Sequence, residues 1–84
     1  MQYEPFEEKL MYEWVKSQES ASRVGEKTTV VCLQMHNGYE VIGSSSCVNP
    51  GDYDFEIGTF YATKDALRKI KEIVGYVNQS QLNK

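Results

Sequence analysis

The side chains best suited to acid-base or nucleophilic chemistry near neutral pH are one histidine, His36, and two cysteines, Cys32 and Cys47. Cys32 and His36 are four residues apart on a predicted strand, which separates them by about 13 Å at a rise of about 3.3 Å per residue. A catalytic pair needs hydrogen-bond contact, at about 3 Å. Cys47 lies further still from His36 along the paired strand, so neither cysteine is expected to pair with the histidine. Because the sequence shows no secretion signal, we expect both cysteines to be reduced thiols, in buried or half-buried positions. We predict no catalytic residues and no enzyme activity.

Metal ligands do not form a recognisable pattern either. A zinc site needs closely grouped cysteine and histidine ligands, and the sequence has neither Cys-x-x-Cys nor His-x-x-x-His spacing. Asp52, Asp54 and Glu56 alternate as a calcium-binding loop begins, but the glycine at the sixth position and the glutamate at the twelfth are absent. A helix N-terminus explains these acids better. We predict neither a metal nor another cofactor.

Two groups of polar residues could contact a phosphate-bearing ligand. Three serines ahead of a predicted helix could donate hydrogen bonds to an anion: Ser44, Ser45 and Ser46. A modest basic cluster follows in the helix: Lys64, Arg68, Lys69 and Lys71. The serines are better explained as edge-strand and turn residues, and the bases as a solvated helix end that suits the helix dipole. Ligand binding, with Lys64 and Arg68 contacting phosphate, is the alternative.

The composition is that of one small globular domain. The 84 residues are 40% hydrophobic and 25% charged, which leaves no room for a second core, so we expect residues 1–84 to form a single domain. A formal charge of −3 does not favour direct binding of nucleic acid. No apolar run approaches the ~20 residues of a membrane helix, and residues 1–12 carry acids where a signal peptide carries bases. We expect a cytoplasmic protein that does not bind membranes.

The first predicted element is a helix over residues 1–16. Pro5 suits the first helical position, and the acids that follow it suit the positive end of the helix dipole. Apolar residues recur at helical spacing and require a packing partner: Tyr3, Phe6, Leu10, Met11, Trp14 and Val15. Residues 17–26 are polar and small without periodicity, and this pattern predicts a surface linker.

Residues 27–46 are predicted to form a β-hairpin. Two runs rich in β-branched residues flank Asn37-Gly38, a dipeptide typical of a two-residue type I′ turn with positive φ at both residues. This turn sets the following pairs on one face: His36 with Tyr39, Gln34 with Val41, Cys32 with Gly43, and Val30 with Ser45. An isolated two-stranded ribbon is marginally stable, so either helices cover it or a second copy extends it. We therefore predict a homodimer.

A second helical region is predicted over residues 50–75. Asn49-Pro50 supplies an N-cap and a first-turn proline. The later part has apolar residues at helical spacing, and Gly75 is expected to end the helix; the apolar residues are Ala66, Leu67, Ile70, Ile73, Val74 and Val77. Residues 78–84 are expected to form a polar tail.

A continuous helix over residues 50–75 could not bury all its apolar side chains in one core. At 100° per residue, an aromatic stripe points roughly 140° away from the apolar residues just described; its members are Tyr53, Ile57, Phe60 and Tyr61. Either the helix breaks near Ala62-Thr63, or the stripe packs on another molecule. We predict that these four residues and Trp14 form a protein interface. The predicted fold is α+β: an N-terminal helix, a two-stranded antiparallel hairpin, and a long or broken C-terminal helix.

Two segments within residues 28–77 are specific enough to compare with known families: Gly43-Ser44-Ser45-Ser46-Cys47-Val48 with the following Asn49-Pro50, and Phe55-Glu56-Ile57-Gly58. They resemble the small tailed-phage family named after gene product 49 and gene product 66 of two enteric phages. Residues 1–27 fall outside the resemblance, and Thr59-Phe60 stand where that family often has a basic residue after the glycine. The resemblance implies a phage or prophage accessory protein made inside an infected bacterium, and it transfers no catalytic residue.

The predicted function is that of a non-enzymatic phage accessory protein of the host cytoplasm. We expect a counter-defence inhibitor that binds a host protein stoichiometrically, with aromatic side chains as anchors. One alternative is a sponge that sequesters a small nucleotide immune signal. Another is a structural or regulatory phage component.

Overall fold

A computed structural model describes the backbone of residues 2–82 and the side chains of residues 2–75. The elements in chain order are α1 (Pro5–Trp14), β1 (Val15–Val24), β2 (Thr28–Met35), β3 (Glu40–Ser46), a 3-10 turn (Pro50–Asp52) and α2 (Phe55–Leu82). The strands form one antiparallel sheet in the order β1-β2-β3, and both helices share a core with it. The α+β class is confirmed, with three strands in place of the predicted two. Within residues 2–82, no helix is both long and apolar enough to cross a membrane.

The N-terminal helix begins at Pro5, the residue that the sequence favours for its first position, but the predicted range of residues 1–16 is too long: residues 2–4 precede the helix and residues 15–16 belong to β1. Pro5 is its first residue, and the Glu7 carboxylate accepts a hydrogen bond from the backbone N–H of Glu4 (2.7 Å). This contact is one half of a capping box, which supplies an acceptor for an N–H group that has no partner within the helix. The helix ends at Trp14 because the chain then turns directly into β1.

The linker predicted over residues 17–26 is wrong, since most of it lies in strand β1. β1 pairs antiparallel with β2, from Val15 opposite Met35 to Val24 opposite Thr28, and two irregularities interrupt the register near Ser17 and Ser20. A polar, serine-rich segment has little strand propensity of its own, so the pairing with β2 stabilises it here. Gly25 makes the connection possible, because its φ of +73° is readily adopted only by glycine.

The predicted register of the hairpin is also wrong, by one residue. Leu33 lies opposite Val41, and Val31 lies opposite Gly43. The loop has three residues, in which Gly38 has a φ of +90° and its N–H donates to the Met35 carbonyl oxygen (2.9 Å). No non-glycine residue among those described has positive φ, which excludes a type I′ turn. A one-residue slip changes which side chains share a face, and in the observed register Val31, Leu33 and Val41 lie in the core whereas Ile42 is 49% exposed.

Small residues on one side of α2 let it approach the sheet closely. Gly58, Ala62 and Ala66 recur every four residues and therefore lie along one face of the helix. A Cβ at Gly43 would meet the backbone nitrogen of Ala66 at 2.5 Å, and one at Gly58 would meet the Thr29 Cβ at 3.0 Å. Around this contact lies the core, whose fully buried members include Val31, Leu67 and Ile70.

The C-terminal helix differs from its prediction at both ends. Residues 50–52 form the separate 3-10 turn, and α2 begins only at Phe55. It then continues without a break through Ala62-Thr63 and past Gly75 to Leu82. The expected break, the expected stop and a non-helical tail over residues 78–82 are therefore wrong; residues 83–84 and the Val77 side chain lie outside what the structure describes.

Two side chains of α2 cover the outer edge of β3. The Asp65 carboxylate accepts a hydrogen bond from the Ser44 N–H (3.0 Å), and the Lys69 ammonium donates to the Ile42 carbonyl oxygen (2.7 Å). Burial opposes ionisation of Asp65, but the Ser44 N–H and the neighbouring Lys69 and Arg68 lower its pKa below the ordinary value.

Because β1 and the helices already complete the hairpin, the sheet does not require a second copy for its stability, and homodimerisation stays a prediction.

Candidate functional site

The residues examined for catalysis do not form a reactive pair. His36 is exposed in the hairpin loop, whereas Cys32 is buried and its thiol donates to a Glu40 carboxylate oxygen (3.2 Å). This hydrogen bond, with burial and the negative charges of Glu40 and Glu19, raises the pKa of Cys32. A thiol held in its neutral form is a poor nucleophile. Among the described residues, no three histidine, cysteine, aspartate or glutamate side chains are grouped to hold a metal ion.

The three serines considered for anion binding make hydrogen bonds within the molecule. The Ser44 N–H donates to Asp65, the Ser45 hydroxyl donates to the Gly58 carbonyl oxygen (2.8 Å), and the Ser46 hydroxyl is 2.8 Å from that of Thr28. These contacts attach β3 to α2 and to β2. A carboxylate beside Ser44 disfavours an anion at this position, so the geometry gives the ligand hypothesis no support.

The basic residues of that hypothesis are likewise engaged in the molecule. Arg68 pairs with Asp65 (2.6 Å), and Lys64 pairs with Glu7 (3.0 Å). The Glu7 side chain is only 5% exposed and Lys64 27%, so this ion pair joins α1 to α2 in a largely covered position. Its position between the helices indicates a structural role, in fixing α1 against the middle of α2.

The fold covers the predicted aromatic stripe unevenly. Phe60 packs against Tyr3 of the N-terminal segment, with ring centroids 4.7 Å apart, and its edge contacts Tyr61 at 5.2 Å. Tyr61 and Ile57 stay 52% and 45% exposed. We call Tyr3, Ile57, Phe60 and Tyr61 the aromatic patch. The sequence left two alternatives for these residues, a helix break or packing on another molecule. The structure shows a third, because Tyr3 of the same chain covers part of the patch.

Tyr53 precedes α2 and turns toward the sheet, where it lines a small cavity together with Ile57 of the aromatic patch. Its hydroxyl is 2.7 Å from that of Thr29, and the Arg23 guanidinium lies 4.4 Å from its ring centroid. The cavity beside it has a volume of about 70 Å³. Tyr53 therefore ties the β1–β2 end of the sheet to the start of α2.

Trp14 lies in a groove between α1 and α2. The groove is lined by four apolar side chains, Phe6, Leu10, Trp14 and Val74. Three charged side chains lie at its rim: Lys9, Glu13 and Lys71. The groove has a volume of about 270 Å³, and Phe6 is 42% exposed at its entrance. We call these seven residues the helical groove. Of the predicted interface residues, only Trp14 belongs to it.

The groove residues other than Trp14 were not identified from the sequence as a site. Phe6, Leu10 and Trp14 have a four-residue spacing that was interpreted as a stripe in need of a packing partner. Leu10 does enter the core, whereas Phe6 and Trp14 keep part of their surface free at the groove. The signal was therefore present, but periodicity does not say how much of a stripe the core will cover.

Comparison with known proteins identifies the family and no closer relative. Searches of curated proteins and of solved structures found no match to this chain. A family profile matches residues 5–82, which includes α1 and β1 and so extends beyond the residues 28–77 that carried the resemblance. The chain therefore belongs to the Phage protein (N4 Gp49/phage Sf6 gene 66) family.

Proposed function

We propose that this phage protein acts without catalysis, by binding a host protein stoichiometrically in the host cytoplasm as a counter-defence inhibitor. One observation carries the proposal: both helices leave large apolar side chains exposed on the surface of the helical layer. Phe6, Ile57 and Tyr61 are 42%, 45% and 52% exposed. Tryptophan and tyrosine beside partly buried apolar neighbours are the usual anchors of protein interfaces.

The shape of the surface favours a protein over a small ligand. The helical groove, at about 270 Å³, is smaller than the pockets of ~300–1,000 Å³ that enclose drug-sized molecules. Its floor is apolar, and the Ser44 N–H and the Ser45 hydroxyl, which were the predicted anion donors, are bonded elsewhere in the molecule. A groove of this size is suited to a few apolar side chains from another protein.

Quantitative capture from host lysate tests the proposal. Tagged wild-type chain is compared with Tyr61→Asp, and with Tyr39→Asp as the matched control, because Tyr39 is 60% exposed in the hairpin loop. We expect one host protein in equimolar amount with the wild type and the control, and its loss with Tyr61→Asp. The purified host protein should then lose its activity at a one-to-one ratio. Folded wild-type chain that retains no host protein in stoichiometric amount would rule the proposal out.

The nucleotide alternative has a direct test of its own. A ligand that binds only the folded state raises the melting temperature, by an amount set by its concentration relative to Kd. We expect cyclic and linear dinucleotides to leave the melting temperature unchanged. A saturable increase that Lys64→Ala or Arg68→Ala abolishes would replace the protein partner with a nucleotide.

A further inference from the structure

The floor of the helical groove has the dimensions of a short helix. Phe6, Leu10 and Trp14 follow one another at intervals of one turn along α1, and Val74 closes the groove from α2. Eight residues separate Phe6 from Trp14, which is about 12 Å at 1.5 Å per residue. This length matches about two turns of a third helix packed alongside α1 and α2.

We propose that the helical groove binds one amphipathic α-helix of the host partner, with its apolar face on Phe6 and Trp14 and its carboxylates toward Lys9 and Lys71. This inference rests on the proposed function and specifies the partner's chemistry. Anchors at positions i, i+3 or i+4, and i+7 of the bound helix would span the floor of the groove.

Backbone hydrogen bonding selects a helix over an extended peptide. The groove is lined by side chains of two helices, whose backbone N–H and C=O groups bond within each helix. An extended peptide would bring its own N–H and C=O groups into an apolar groove that offers them no backbone partner. A helix satisfies those groups internally and presents only side chains.

The charges at the rim favour a bound helix that carries acidic residues beside its apolar face. In a chain with a formal charge of −3, the rim has two ammonium groups, Lys9 and Lys71, and one carboxylate, Glu13. The Lys71 ammonium lies 4.5 Å from the ring centroid of Phe6, directly beside the entrance. Within residues 2–75 neither lysine forms an ion pair. Carboxylates on the bound helix would meet them at close range, which favours an acidic partner over a basic one.

The only tryptophan of the chain lies in this groove and reports on its occupation. The probe is a designed helical peptide of 16 residues without tryptophan or tyrosine, with leucines at i, i+4 and i+7 and glutamates on both flanks. A second peptide has lysine in place of each glutamate, and a third has proline at its centre. We expect a saturable blue shift of Trp14 fluorescence with the first peptide, at least tenfold weaker binding of the second, and no binding of the third.

Matched variants assign the binding to the groove. Phe6→Asp should abolish the blue shift, whereas Tyr12→Asp should leave it unchanged, because Tyr12 is 88% exposed on the same helix and outside the groove. Lys71→Glu should narrow or invert the preference for the acidic peptide. Far-UV circular dichroism and melting temperatures confirm that each variant is folded, and Lys71→Glu gives a second readout if Phe6→Asp fails to fold.

The outcomes separate this inference from the proposed function. Equal binding of acidic and basic peptides, binding of the proline peptide, or no Trp14 response to any peptide would overturn the helical, acidic occupant. If Phe6→Asp still captures the host protein while Tyr61→Asp does not, the partner binds the aromatic patch alone and only the groove assignment fails. Sedimentation that shows a wild-type dimer lost in Phe6→Asp would make a second copy of this chain the occupant, and would likewise overturn the inference.

Discussion

Replacing Gly43 with alanine tests the contact that holds the helical layer on the sheet. The added Cβ would lie 2.5 Å from the Ala66 backbone nitrogen and 2.8 Å from the Ala66 Cβ, and it would overlap the Ala62 carbonyl oxygen. Since ordinary contacts of this kind are 3.4–4 Å, α2 must move away from β3 by about 1 Å. The opposing atoms belong to backbone and to a Cβ, so no side-chain rotation can relieve the overlap.

The free energy of unfolding should fall by about 2–2.5 kcal/mol. Overpacking costs ~1–3 kcal/mol, and the upper end applies because the opposing atoms cannot rotate away. The gain of roughly 0.5–1 kcal/mol from replacing glycine in a strand offsets part of this cost. For a domain of this size each kcal/mol corresponds to about 4–8 °C, so the melting temperature should fall by roughly 8–20 °C.

Urea unfolding followed by Trp14 fluorescence and by circular dichroism measures the change. Gly75→Ala is the matched control, because Gly75 is exposed within α2 and its added Cβ meets nothing within 4 Å. Removing a glycine from a helix interior should stabilise the control by up to about 1 kcal/mol. A Gly43→Ala protein within about 0.5 kcal/mol of wild type, the range of a neutral surface substitution, would show that α2 and β3 are not in backbone contact.

Three further predictions concern titration, thiol chemistry and the ion pair between the helices. The pKa of Asp65 is lowered in the folded state, so its ionisation stabilises the fold; this stability is fully present above the unfolded pKa near 3.9 and is lost as the pH falls through the folded pKa. In an acid titration from pH 5 to pH 2.5, Asp65→Asn should therefore lose less unfolding free energy than wild type. An equal loss in both proteins would contradict this. The thiol of Cys47 is partly exposed, whereas Cys32 is buried and its pKa is raised, so Cys47 should react with an aromatic disulfide reagent at least tenfold faster. Peptide mapping of the labelled sites measures the two rates. Equal rates would contradict the burial and the raised pKa of Cys32. Glu7→Ala should cost about 1–2 kcal/mol, from the lost cap and the lost partner of Lys64. A double-mutant cycle with Lys64→Met should give a coupling below about 1 kcal/mol because Lys64 keeps part of its surface in water, and a coupling above about 3 kcal/mol would mean that both charges are fully desolvated.

Local signals with a direct physical cause were predicted correctly. Pro5 and the acids after it marked the start of α1, since an imino ring and negative charge both suit the first helical turn. Asn37-Gly38 marked the position of the hairpin loop. It did not distinguish a two-residue from a three-residue loop, because Gly38 has positive φ in both and only Asn37 differs. Pairing Val41 with Leu33 instead of Gln34 would have indicated the observed register, because it joins apolar residues on one face.

Features that depend on tertiary contacts could not be read from local patterns. β1 has the composition of a linker, and only its pairing with β2 makes it a strand; Gly25 just before a run of β-branched residues was the available signal of a hairpin turn. Local patterns likewise do not show that α2 is continuous. Gly58, Ala62 and Ala66 form a helix face that lies close to the sheet, which the spacing of the large apolar residues does not reveal. Without that contact, two apolar stripes on one helix predict a break.

The candidate site was predicted only in part, for a related reason. Sequence identified Trp14, Phe60 and Tyr61 as surplus apolar surface, and all three keep some exposure in the folded molecule. The division between buried and free surface depends on where α1 lies along α2, and the Glu7–Lys64 pair that sets this position spans 57 residues of sequence. No local pattern predicts a contact at that separation.

The covered edge of β3 also bears on how much of this protein a cell can hold. Under the proposed one-to-one binding, the protein has to accumulate to the abundance of its target, and crowded copies of a protein with an open sheet edge recruit one another into growing β-structure. Asp65 and Lys69 occupy that edge on one side, while the irregular, charged β1 forms the other. Both edges of the sheet are thereby protected against intermolecular β-pairing when the protein is abundant.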